Sequence, residues 1–304
     1  MGRNMVMNLI ENNHANIHVF DVQPEAVSTL TEQCKPGSIV PCSSISELSS
    51  KSSVVFSMVP NDKVLREVVD ELVTDSASPS SSQLHISCST VSPNTSRECS
   101  SLFTGTSNDQ LMRSWVTSPV FARPDGLERK EATFCLSSSS NDEDVWALAK
   151  SLLGTSASNL YTFGSDPGAS NVVKLAGNFM IASTILTWGE SISFVEREGV
   201  DAHKVVDMLT STIFNNIIHK GYGGRIVNRD YREGGFSLTL GYKDVKLVKE
   251  VAGENSTVMP LCSLLEQRYN SCFNQGYQDL DWSSLSKLAF TENTLNTDFK
   301  EKEE

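Results

Sequence analysis

The sequence predicts an α/β protein in two parts, a doubly wound, mainly parallel sheet followed by an all-α domain built on one long helix. Three observations predict it. Through the first 163 residues short β-branched runs alternate with segments of helical period, the pattern of βαβ units. From residue 164 no run reads as a strand, and helical patterns cover 167–198, 201–215, 243–255 and 260–276. Where the two parts join, GSDPGASNVVKLAGNFMIASTILTWGES (164–191) is apolar almost all the way round, and Lys174 is the only charged side chain between Asp166 and Glu190. The domain limits read from this are 1–163 for the sheet and 164–290 for the helices, with a polar, disordered tail over 291–304.

The strand candidates are IHVFD (17–21), SVVFSMV (53–59), LHISCS (84–89), WVTSPVF (115–121), ATFCLS (132–137) and LYTF (160–163). SASPSSS (76–82) and SSSSND (137–142) read as surface loops. Asp166 before Pro167 supplies an N-cap and a residue preset for the first turn, so the long helix is expected to start there.

Composition narrows the function. Among 304 residues, 25 are basic and 37 acidic, a formal charge of −12, and the basic ones form no stripe, which argues against a nucleic-acid or anionic-membrane surface and for a small-molecule partner. Seven cysteines, an odd number with no C-x-x-C, read as reduced thiols. With no uninterrupted apolar run of bilayer length and no secretory or transit segment, a cytoplasmic location is expected, a mitochondrial one remaining open should an N-terminal extension exist. The five histidines show no ligand spacing, so no metal is assigned.

The start of the chain, MGRNMVMNLIENNHANIHVFD, fits the end of a phosphate-binding loop. Gly2 stands as the last glycine of a G-x-G-x-x-G, a helix runs from about Arg3 to Glu11, and Asp21 closes a strand about 20 residues on, where an acid accepts hydrogen bonds from an adenine-ribose 2′-hydroxyl. The first strand and the first two glycines would then lie upstream of Met1. A carboxylate at Asp21 favours NAD over NADP; equally, Asp21 before Gln23-Pro24 reads as a turn former.

These segments, with SMVPN, ISCSTVSPNTSRE, SPVFARPDG, GASNVVKLAGNFM and GYKDVKL in order, resemble the β-hydroxyacid dehydrogenases, the 3-hydroxyisobutyrate dehydrogenase-like group related to 6-phosphogluconate dehydrogenase. The resemblance implies a Rossmann-type domain, an all-helical domain on a long interdomain helix, NAD(P) in the cleft and a homodimer or higher homo-oligomer. Residue by residue it makes Met1 and Gly2 the end of the glycine loop and Asp21 the ribose ligand. Val59 and Pro60 would lie along the cofactor, Thr90 on the nicotinamide side, and Lys243 would reach back to the cofactor. Lys174 would be the catalytic lysine and Asn178 its partner one turn on. Ser89, Phe121, Ala122, Arg123 and Asn171 are the candidate substrate contacts.

Two motifs depart from the family. D-x-S-T is replaced by Ser87-Cys88-Ser89-Thr90, and P-V-S-G-G by Pro119-Val120-Phe121-Ala122-Arg123, an F-x-R-P-D variant that hides the substrate. Arg123 either grips a substrate carboxylate or is a solvated turn residue.

The helix itself puts Asn171, Lys174 and Asn178 at i, i+3 and i+7, one narrow polar arc on an apolar surface. Either the lysine snorkels to solvent, or it is an acid–base group whose pKa burial lowers toward the working pH. The resemblance favours the second, an NAD(P)-dependent oxidoreductase of a small β-hydroxy acid or its carbonyl counterpart. The alternative is a non-catalytic scaffold that keeps the fold. Imine reduction is disfavoured, because the related group that performs it usually lacks the lysine.

Overall fold

In a computed structural model the described residues are 1–74, 82–108 and 111–295. The loop expected over 76–82 lies, apart from Ser82, outside them, as does the tail from 296 onward. The chain divides into two compact units, Met1–Lys174 and Leu175–Glu304.

The first unit alternates strands and helices as expected. Helix α1 (Gly2–Glu11) leads to β1 (Ile17–Val19), α2 (Pro24–Glu32) to β2 (Ile39–Pro41), and β1 and β2 pair in parallel. After α3 (Ile45–Ser50) comes a second parallel set, β3 (Val54–Ser57), β4 (Gln83–Ser87) and β5 (Arg113–Thr117), crossed over by α4 (Asp62–Thr74) and α5 (Pro93–Gly105). Among the described residues no ladder joins β1 to β3.

WVTSPVF is not one strand. Pro119 has no N–H for a ladder, so the chain turns there; β5 ends at Thr117 and β6 (Val120–Phe121) pairs antiparallel with β7 (Ala132–Leu136). Helix α6 (Pro124–Glu128) fills the hairpin between them. After α7 (Glu143–Gly154), β8 (Ala157–Thr162) pairs in parallel with β7.

Strand periodicity builds the core on both faces. Leu84, Ile86, Val116, Phe134 and Leu136 pack on one side, Val55 and Trp115 with Leu65, Val69 and Phe103 on the other. SSSSND is only partly a surface loop. Ser137 and Ser138 are fully buried, because Ser137 exchanges two backbone hydrogen bonds with Thr117 and Ser138 Oγ donates to the Trp115 carbonyl.

Helix α8 (Ala169–Arg197) opens as the Asp166-Pro167 pair predicts, with Asp166 Oδ1 accepting the Gly168 N–H at 2.9 Å. By length and composition alone α8 is apolar enough to cross a bilayer. In this fold Ile185, Trp188 and Ile192 instead join Ile226, Val245, Leu265 and Tyr269 in the core of the second unit.

That unit continues with α9 (Ala202–Ser211), α10 (Ile217–Val227), α11 (Leu238–Glu254) and α12 (Pro260–Asn274). A 3-10 turn (Trp282–Ser286) and α13 (Lys287–Glu292) complete it. Helix α10 was not expected, since Gly221, Gly223 and Gly224 depress its propensity. Tertiary packing overrides them: a Cβ on Gly223 would lie 3.2 Å from the Trp188 ring, so glycine is what allows the close approach.

Candidate active site

In the first unit the candidates gather on loops at the carboxyl ends of β3 and β4 and on the first turns of α8. The loop after β3 carries Val59 and Pro60, and that after β4 carries Ser89 and Thr90. Ser89 Oγ accepts the Val59 N–H at 2.8 Å, so the serine ties the two loops together. Asn171, completely buried, accepts the Val91 N–H on Oδ1 and donates from Nδ2 to Ser96 Oγ at 2.8 Å. Both candidate substrate contacts are therefore engaged with the scaffold.

Three further contacts hold the start of α8. Ser137 Oγ donates to the Pro167 carbonyl and accepts the Ser170 N–H, each at 3.2 Å. Arg97 clasps Asp166 through two parallel hydrogen bonds of 2.8 and 2.7 Å, which holds the Asp166 carboxyl below its usual range. Lys174, only 7 % exposed, rises from this anchored turn. It does not snorkel to solvent: its Nζ lies 4.0 Å from the centroid of the Phe121 ring. The nearby Cys135 thiol is pushed up by burial and pulled down by the lysine charge.

At the front of this unit α1 begins directly after Met1, with no acid in its first turn and no side chain capping its N–H groups. A helix start of this kind accepts an anion. Asn4 Nδ2 donates to the Pro124 carbonyl and Asn8 Nδ2 to the Leu127 carbonyl, which fastens α1 to the segment after Arg123. Asp21 is exposed just beyond β1, and its Oδ1 accepts the Gln23 N–H at 2.9 Å. The turn reading is thus realised at one carboxylate oxygen. A bound dinucleotide suits this donor set: free N–H groups for a pyrophosphate and an exposed carboxylate for a ribose diol.

In the second unit Asn178 and Asp244 are both buried, and Asn178 Nδ2 donates to Asp244 Oδ2 at 2.5 Å. Lys243 Nζ is 3.1 Å from Asp244 Oδ1, a charge contact without an aligned hydrogen bond. Asp244 is the organising residue that sequence reasoning left unassigned; its signal was the K-D pair within GYKDVKL. Asn4, Asn8, Ser96 and Ser137 were missed as well, because only the fold brings them to their partners. Among the described residues no group of histidine, cysteine and acidic side chains could hold a metal.

Comparison with known proteins identifies the family of the chain. Residues 1–164 match the NAD binding domain of 6-phosphogluconate dehydrogenase, and residues 168–289 the domain described as NAD-binding of NADP-dependent 3-hydroxyisobutyrate dehydrogenase. The mitochondrial 3-hydroxyisobutyrate dehydrogenase of Drosophila melanogaster is 27% identical over 295 residues, 95% of this chain and 86% of that protein. An NAD-dependent L-serine dehydrogenase of Pseudomonas aeruginosa is 24% identical over 297 residues, 95% of this chain and 94% of that protein. The fold matches Mycobacterium tuberculosis 3-hydroxyisobutyrate dehydrogenase, solved with L-serine, at a TM-score of 0.79 and 23% identity, covering 95% of each chain.

The chain belongs to the β-hydroxyacid dehydrogenase family. Its cofactor is NAD or NADP, and the family function is that of an NAD(P)-dependent hydroxyacid dehydrogenase.

Proposed function

We propose that this chain transfers hydride between NAD(P) and a small β-hydroxy acid or its carbonyl counterpart, with Lys174 as the general acid and base. The observation that carries the reading is a buried lysine on an anchored helix start, followed one turn later by an asparagine with a buried carboxylate partner. Relatives named for 3-hydroxyisobutyrate and L-serine, both small hydroxy acids, support the substrate class.

In this reading Met1, Gly2 and the first N–H groups of α1 take the pyrophosphate, and Asp21, through its second oxygen, takes the ribose and favours NAD. Val59, Pro60, Thr90 and Lys243 complete the cofactor contacts. The bound cofactor supplies a hydride donor or acceptor at nicotinamide C4. Lys174 Nζ donates a hydrogen bond to the substrate oxygen, delivers its proton when the carbonyl is reduced, and takes a proton back when the alcohol is oxidised. Asn178, oriented by Asp244, directs the polar side of that exchange. Ser89 and Asn171 act by holding the loops, Phe121 and Ala122 border the substrate, and Arg123 grips its carboxylate.

We place the protein in a cytoplasmic compartment and as a homodimer, the second on the exposed apolar side chains of the helical unit, Met180 (68 %) and Phe194 (67 %) on α8 and Ile217 (85 %) on α10. The functional test is a panel of small hydroxy acids with NAD⁺ and NADP⁺, and of their carbonyl forms with the reduced cofactors, run beside Lys174→Ala. Turnover by the parent and its loss in the variant are expected. Equal turnover by both would remove Lys174 from the chemistry.

A further inference from the structure

Lys174 is held at its two ends by different means. Its backbone belongs to the helix start fixed by Asn171, Ser137 and the Arg97–Asp166 clasp. Its ammonium faces a ring: Phe121 closes the two-residue strand β6, sits opposite Thr133 in antiparallel register, and presents its face 4.0 Å from Nζ. A cation within about 6 Å of a ring centroid is attracted to the negative π face, most strongly where both are out of water. At this separation no solvent molecule fits between ring and nitrogen.

We propose that Phe121 is the positioning residue of the lysine, its ring face fixing the place of the ammonium and supporting its charge. The inference rests on the reading of Lys174 as the acid–base group. It goes beyond a mere border to the substrate, because the ring acts through the lysine. With the ring on one side of Nζ, the substrate oxygen approaches from away from Phe121, and the wall beside the lysine is hydrocarbon.

Two measurements on the full chain test this. The first is NMR of protein carrying ¹³C-labelled lysine, with the Lys174 ε-methylene resonance identified by its loss in Lys174→Met. In the parent it is expected well upfield, shielded by the ring, and in Phe121→Leu it returns toward the other lysines. The second is turnover with phenylalanine, mono-, tri- and pentafluorophenylalanine placed at 121, a series that keeps the ring's shape while draining its π face. The expected result is a stepwise fall in kcat, reaching about tenfold to thirtyfold in the pentafluoro form and in Phe121→Leu, while Phe121→Tyr recovers most of the activity.

An unshifted resonance in the parent overturns the proposal, and so does equal turnover across the fluorinated series. If no form turns over any hydroxy acid, the dehydrogenase reading fails separately, and the resonance alone decides: a shift that disappears in Phe121→Leu upholds the ring contact, and its absence overturns it.

Discussion

Among single residues, the buried Lys174 and the Asn178–Asp244 pair carry the proposed chemistry. Replacing Lys174 by methionine keeps an unbranched side chain one atom shorter and removes the ammonium group. The expected result is a fall in kcat of about 10²–10⁴, the usual contribution of a general acid or base, with NADH affinity within about threefold of the parent by calorimetry. Replacing Asp244 by alanine removes the carboxylate that accepts from the buried Asn178 amide and lies beside the Lys243 ammonium. It is expected to lower stability by about 1–3 kcal/mol, measured by urea unfolding, and to lower kcat as well.

A buried residue outside the proposed chemistry supplies the pH test. His85 is fully buried, with Nε2 3.0 Å from Ser57 Oγ and the Trp115 ring at 4.3 Å, and burial pushes its pKa down from 6.5 to about 3. The unfolded chain therefore binds a proton below pH 6.5 that the folded chain refuses. Stability from this residue is complete above that pH and is lost as the pH falls from there toward 3, by about 2 kcal/mol at pH 5. Unfolding at pH 7.5 and pH 5 is expected to show this loss in the parent and a smaller one in His85→Phe. The sequence placed Lys174 and Asn178 on one arc of α8 and Asp21 at the close of a strand, and the structure has the first two on that helix and Asp21 just beyond β1. It hid the roles of Ser89 and Asn171, since nothing local shows that a polar side chain will be taken up by a backbone N–H from another loop.

At the scale of elements, the first turn of α8 is the part that the chemistry most needs kept still. A Cβ on Gly168 would come within 2.8 Å of both the Pro93 carbonyl and the Arg97 guanidinium. Gly168→Ala is therefore expected to cost about 1–3 kcal/mol, by overpacking rather than by backbone strain, and to lower Tm in a thermal melt. The start of this helix was legible because its N-cap chemistry is local. The breaking of WVTSPVF into two strands was partly legible, since Pro119 stands in the middle of the run. Helix α10 was not: three glycines argue locally against a helix, and what decides the matter is the contact of Gly223 with Trp188. The early start of α11 at Leu238 has its signal in Ser237, which accepts the Leu240 N–H at 3.3 Å.

At the scale of the whole molecule, the change at residue 164 from alternating strands and helices to helices alone was plain in the sequence, and the helical unit shows it in full. The exposed apolar side chains of that unit give a prediction at the same scale. Sedimentation is expected to find a dimer, and Met180→Glu with Phe194→Glu is expected to shift it toward monomer while each chain stays folded. A parent that sediments as a monomer would remove the homodimer from the account.

Whether the α1 start and Asp21 hold the nicotinamide dinucleotide, as proposed, is tested most directly by calorimetric titration of the purified protein with NADH and, separately, NADPH. Micromolar binding is expected, with NADH the tighter and a smaller preference in Asp21→Ala. A folded chain that binds neither cofactor would contradict the proposal.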